Sequence, residues 1–163
     1  MPVRGTRPVP AALPEPGART RAPSRGTGVK EFRWQVRVYY EDTDAAGLVY
    51  HGNYLKFMER ARTEWLRAMG YTHELLRERH GIVFVVSEAN VRFVRPARMD
   101  DHLTVHVTLE RAGGASLDFL QYIENESGGR ICEATVRIAC LDVETLRPRR
   151  LPGAIREELT NVC

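Results

Sequence analysis

No apolar run in this chain approaches the roughly 20 residues needed to cross a bilayer. The N-terminus also lacks the apolar core of roughly 7–15 residues that marks a secretory signal. Cysteine is scarce: Cys132, Cys140 and Cys163 are an odd number without ligand-like spacing. That argues against a disulfide framework or a zinc site and for buried thiols in a reducing compartment. A cytoplasmic protein is therefore expected. There is no Gly-x-Ser-x-Gly elbow, glycine-rich phosphate loop or Cys-x-x-Cys pair, so serine-hydrolase, nucleotide and zinc chemistry find no support. Charge of one sign is missing too. The formal +3 arises from residues 1–28, which hold five arginines against Glu15, and the rest sums to −1. Nothing in that nearly neutral remainder reads as a nucleic-acid footprint.

Residues 1–28 also hold six of the nine prolines and few large apolar side chains. Such a segment buries too little to offset the entropy of ordering, and it is read as a disordered extension. Residues 29–163 are long enough for one domain with a core and no staples.

Period-two alternation begins at Phe32 and runs through Trp34, Val36, Val38 and Tyr40, the pattern of a half-buried strand. A helix is predicted from about Asn53 to Met69, with Tyr54, Met58, Ala61, Trp65 and Met69 on one stripe. Asn53 is its expected N-cap and Gly70 its stop. A short helix follows, from Thr72 to about Arg79. Four strands are then predicted: Ile82 onward, Leu103–Leu109, Leu117–Ile123 and Ile131–Leu141. Hairpin-length links imply antiparallel pairing, with one long helix covering the apolar face in an α+β fold. His102 and His106 fall on the polar face of their strand and read as solvated.

Most of the chemistry is concentrated between strand and helix, where Glu41-Asp42-Thr43-Asp44 leads through Gly47 to Tyr50-His51-Gly52. Asp42, Asp44 and Gly47 match positions 1, 3 and 6 of a calcium loop. Ala46 and Asn53 occupy positions 5 and 12, however, so two charged ligands are missing and no metal is expected. Ordinary turn residues would explain the acids alone. A carboxylate beside the free amides of a helix start also supplies a base or nucleophile next to an oxyanion site, the parts needed to act on a carbonyl compound. His51 stands between a capping and a catalytic role, and Tyr50 between helix-entry packing and pocket lining.

With these residues in view, EDTDAAGLVYHGNYL (41–55), ERARTEWLR (59–67), RPARMDDHL (95–103), CEATVRIACLD (132–142) and LRPRRLP (146–152) resemble the hotdog-fold acyl-CoA thioesterases related to 4-hydroxybenzoyl-CoA thioesterase, in their YbgC-like branch. The likeness spans about Phe32 to Ile155. It implies a curved antiparallel sheet wrapped around one long central helix, homodimers or homotetramers, and active sites between subunits. It further implies hydrolysis of acyl-CoA or acyl-carrier-protein thioesters, with Asp44 as nucleophile or general base and the His51 amide as oxyanion donor. The His51 side chain would assist, Tyr50 would line the acyl pocket, and no cofactor beyond the CoA of the substrate is implied. A basic cluster that faces CoA in the 4-hydroxybenzoyl enzyme is reduced here to Arg111 in Arg111–Ala115, which favours aliphatic over aromatic acyl groups. Arg95, Arg98, Arg147, Arg149 and Arg150 are open alternatives for phosphate contact. Two rivals remain: a hotdog hydratase or dehydratase, and a non-catalytic acyl-carrier or scaffold partner in envelope lipid metabolism.

Overall fold

The computed structural model describes residues 31–162. The expected 1–28 extension and Cys163 lie outside them. Along the described residues five strands and three α-helices follow in the order β1 (Phe32–Arg37), α1 (His51–Ala68), α2 (His73–His80), β2 (Ile82–Phe93), β3 (His102–Ala112), β4 (Ser116–Asn125), β5 (Arg130–Asp142) and α3 (Gly153–Thr160). The strands form one sheet in the order β1-β3-β4-β5-β2, and every pairing is antiparallel. The α+β class and the antiparallel sheet expected from the sequence are both present.

Side-chain alternation assigns the two faces. Leu103, Val105, Val107 and Leu109 of β3 are buried, as are Leu117, Phe119 and Ile123 of β4. Against them α1 sets Tyr54, Phe57, Met58, Ala61, Trp65 and Leu66, with the Trp65 and Phe119 rings edge to face at 5.1 Å. The buried amide of Gln121 accepts from Arg62 Nη1 at 2.6 Å and donates to the Met58 carbonyl at 3.0 Å, so this buried polar side chain of β4 is satisfied. Cys132 and Cys140 are buried in β5, and burial pushes both thiols up to about 11. They are therefore poor nucleophiles.

Four expectations need correction. The first concerns the start of α1, which begins at His51, two residues early, with Tyr50 as N-cap; the Asn53 amide instead donates to the Asp42 carbonyl at 2.9 Å. In the second, α1 does not cover the sheet alone: α3 also packs on β3 and buries Ile155 and Leu159. The third reverses the solvated reading of His106, which is 5% exposed. Its ring stacks on Tyr122 at 4.1 Å, with Glu31 3.0 Å from Nδ1 and Glu124 3.3 Å from Nε2. Long neighbours from adjoining strands bury it on a nominally polar face. Lastly, β1 ends at Arg37, short of the Val38 and Tyr40 expected in it, and Tyr40–Asp42 form a 3-10 turn. β2 runs on to Phe93 as a 12-residue edge strand, within the extent expected. Gly70, at φ +90°, closes α1 as expected, and Gly81, at φ +62°, closes α2.

Candidate active site

The acidic turn is a small hairpin. Asp44 N donates to the Leu48 carbonyl and Gly47 N to the Asp44 carbonyl, each at 2.9 Å, while Thr43 bridges to Val49. Gly47 sits at φ +72°, where a side chain would be strained. A third segment lies against this hairpin: Leu48 bridges to Arg98, and Val49 N donates to the Ala97 carbonyl at 2.9 Å. Short polar residues hold the loop because their side chains replace missing backbone partners.

The two aspartates separate in environment. Asp42 is buried, its Oδ2 accepting from Tyr39 N at 2.8 Å and its carbonyl from Tyr50 N at 2.9 Å. It joins the strand exit to the helix entry. Asp44 is exposed, with Oδ1 accepting from Ala46 N at 2.8 Å. Its Oδ2 has no hydrogen-bond partner among the described residues.

Helix α1 opens beside this hairpin. Tyr50 supplies no side-chain cap, and the first turn carries no acid. Asn53 N turns back to the Tyr50 carbonyl at 2.8 Å. The N–H groups of His51 and Gly52 have no acceptor among the described residues, so the positive end of the helix is open. Gly52 has a steric role, because a Cβ there would meet the Tyr50 ring at 3.0 Å.

Aromatic rings surround the opening. Tyr50 and His51 lie 4.4 Å apart by centroid, Phe93 lies 6.1 Å from His51, and Tyr54 lies 5.9 Å from Phe93. Tyr50 and Phe93 are about half exposed, and Tyr39 and Tyr40 nearby are more so. Tyr54 is buried and its hydroxyl accepts from Ala97 N at 3.0 Å. Burial pushes that phenol up; the charges of Cys132, Asp101 and Asp44 add to the rise, and the Ala97 N–H partly opposes it. The phenol therefore stays protonated in neutral solution.

Asp44, Tyr50 and His51 thus cluster at one end of the sheet. Strand alternation alone missed Phe93, which reads there as one more apolar position. The signal that could have found it is its place just before the Arg95-Pro96 break. His102 and His106 lie on β3, opposite Arg37 and Arg33 of β1, and among the described residues they share no hydrogen bond, ion pair or ring contact with this cluster. No group of three or more metal-ligating side chains occurs among the described residues.

Comparison with known proteins bears on the family and the fold. The model of a thioesterase-like superfamily matches residues 38–159. A protein of Escherichia coli O6:H1 called acyl-CoA thioester hydrolase YbgC is 45% identical over 128 residues, which cover 78% of this chain and 94% of that protein. An acyl-CoA thioesterase YbgC of Haemophilus influenzae is 39% identical over 125 residues, covering 77% and 91% respectively. The crystal structure of a probable thioesterase from Bartonella henselae superposes with a TM-score of 0.71 at 39% identity, covering 76% of this chain and all of that one.

Proposed function

Because the chain belongs to the thioesterase-like superfamily, we propose that it hydrolyses acyl-CoA thioesters to a free acid and a thiol, with Asp44 carrying the reaction. The observation that supports this most is the exposed Asp44 carboxylate on the hairpin that leads into the uncapped start of α1, where the His51 and Gly52 amides have no acceptor among the described residues. A thioester carbonyl oxygen directed at those amides gains a hydrogen bond that strengthens as the tetrahedral oxyanion forms. Such donors are worth about 3 kcal/mol each where measured.

Two routes balance. Asp44 as general base removes a proton from water, the hydroxide adds to the carbonyl carbon, and collapse expels the thiolate, which takes up the proton. Asp44 as nucleophile forms a mixed anhydride, expels the thiolate, and water then cleaves the anhydride. His51 orients the substrate or passes a proton to the leaving sulfur. Tyr50 lines the acyl pocket together with Phe93. Aliphatic acyl groups are the expected substrates, carried by CoA or acyl carrier protein, without metal or further cofactor.

The working unit is a homodimer, or a pair of dimers, joined along β2, with each sheet curving around its α1. β2 has an open edge 12 residues long, and Val85, Val86 and Phe93 on it are exposed. Long unpaired edges of this kind favour pairing with a second chain. A cytoplasmic location fits the buried reduced thiols, and no helix among the described residues is long and apolar enough to cross a membrane.

A thiol-release screen over acyl-CoA chain lengths, run beside a sizing column, tests the reading. Wild type should release thiol and elute as an oligomer. The Asp44→Asn protein should elute identically and lose about 100- to 10,000-fold in kcat. Turnover by that variant at the wild-type rate removes Asp44 from the mechanism. Loss of an enoyl chromophore without thiol release identifies a hydratase, and acyl-carrier binding without thiol release a scaffold.

A further inference from the structure

Part of the core face of β2 is left bare by its own protomer. Phe84, Val86, Val91 and Phe93 stand opposite Cys140, Ile138, Ala134 and Cys132 of β5, all of them buried. Residues directly opposite in paired strands share one side of the sheet. Ile82 opens the row fully buried, yet Val86 is 53% and Phe93 50% exposed. The helices therefore cover only the Ile82 end of the row. Core-facing side chains bare along an unpaired edge fit a second copy of this chain, which brings a core of its own. Antiparallel pairing of β2 with itself is two-fold, so it sets the Ile82 end of each protomer beside the Phe93 end of its partner.

A strained residue stands at that Ile82 end. β5 leaves the sheet through a turn over residues 142–147, where Leu146 sits at φ +55°. Among the described residues the other left-handed positions belong to Gly47, Gly70, Gly81, Gly128 and Asp100. Glycine has no Cβ to clash, and a short acid can bond its own backbone, but leucine has neither relief. Packing within the protomer does not explain it, since Leu146 is 62% exposed and lies outside the core cluster. The turn is closed by other groups. Asp142 Oδ1 accepts from Glu144 N and Thr145 N, each at 3.0 Å, and the Asp142 carbonyl accepts from Leu146 N at 2.9 Å. Val143 N donates to the Gly81 carbonyl at 3.0 Å, which ties the turn to the start of β2. A glycine at 146 would complete the same bonds without strain. Strain of this kind persists where the side chain itself is needed.

We propose that Leu146 is a positioning residue that acts across the dimer: it packs against the partner subunit's Phe93 and Val94 and shields the Asp44–His51 opening of that subunit from bulk water. The proposal rests on the thioester-hydrolase reading and the β2 pairing above. The receiving surface is apolar and adjoins the site, because the Phe93 ring lies 6.1 Å from that of His51. Excluding water there strengthens the hydrogen bonds aimed at the thioester oxygen.

The test sets a Leu146→Gly protein beside the Asp44→Asn protein, at concentrations where a sizing column shows both as dimers. Leu146→Gly should lose about 10-fold in kcat/KM on acyl-CoA. The loss should be the same on acyl-N-acetylcysteamine, because the shield lies at the reacting end of the substrate. Leu146→Met should stay within about twofold of wild type. A mixed dimer of the two variants, co-expressed and purified through two tags, holds one site with Asp44 from one protomer and Leu146 from the other. It should recover about half the wild-type rate, against about one-twentieth if Leu146 served its own protomer. On dilution, Leu146→Gly should dissociate at about 10-fold higher concentration than wild type. Wild-type kcat/KM in Leu146→Gly, or a mixed dimer that recovers nothing, overturns the proposal. Should wild type release no thiol, the hydrolase reading falls. Dissociation on dilution then still decides whether Leu146 joins the two copies, and equal dissociation of variant and wild type overturns it.

Discussion

Asp42 and Asp44 stand two residues apart on one turn, yet the fold uses them in opposite ways. The inner acid is consumed by structure: its carboxylate takes the Tyr39 N–H, and its carbonyl takes both Tyr50 N and the Asn53 amide. The outer acid gives one oxygen to Ala46 and keeps the other open. A carboxylate is free for chemistry only where the backbone around it has been satisfied by something else, and here Asp42 and Asn53 do that for the helix entry. Crossing the two substitutions tests this division most directly. Asp44→Asn should cost about 100- to 10,000-fold in kcat with an unchanged melting temperature. Asp42→Ala should cost about 1–2 kcal/mol, or about 4–8 °C, through the lost buried hydrogen bond. Thermal melts beside thiol-release rates give the answer. An Asp42→Ala protein that melts like wild type but has no activity would mean that the two roles are exchanged.

A smaller effect is expected one layer further in, at Tyr54. Its hydroxyl is the acceptor for Ala97 N, and Ala97 is fully buried. Tyr54→Phe leaves that N–H without a partner, at a cost of about 1–3 kcal/mol. It also unties the 95–101 link from α1, so kcat/KM for acyl-CoA should fall with stability. If stability drops while kcat/KM holds, the link does not position substrate.

How far the sequence carried the reading depends on how local each signal is. Leu103, Val105, Val107 and Leu109 declare β3 by parity alone, and the stripe from Tyr54 to Trp65 declares α1, because each pattern is read within one element. The candidate site residues could be grouped for the same reason: Asp44, Tyr50 and His51 lie within eight residues of one another. What could not be read depended on other elements. Asn53 looks like a cap, but its amide is drawn to the Asp42 carbonyl, so the helix starts two residues earlier. α3 offers only Ile155 and Leu159 as buried apolar residues in eight, too weak a stripe to recognise without β3 beneath it. His106 is buried by Tyr122 and Glu31, residues distant in the chain.

The smallest predicted effect lies outside the turn, at Glu31. Burial alone would raise Glu31, but hydrogen bonds from the Tyr122 hydroxyl and Arg33, with His106 beside it, outweigh this and hold the carboxyl at about 2. The same contact acts in reverse on Tyr122, which burial and the Glu31 hydrogen bond push up to about 12. A carboxyl lowered by folding contributes stability that is complete above its unfolded value of 4.5 and is lost as pH falls toward 2. Wild type should therefore lose melting temperature between pH 4.5 and 2 more steeply than Glu31→Gln, while both release thiol equally at pH 7. Parallel melting curves across that range would mean that Glu31 does not set the acid stability.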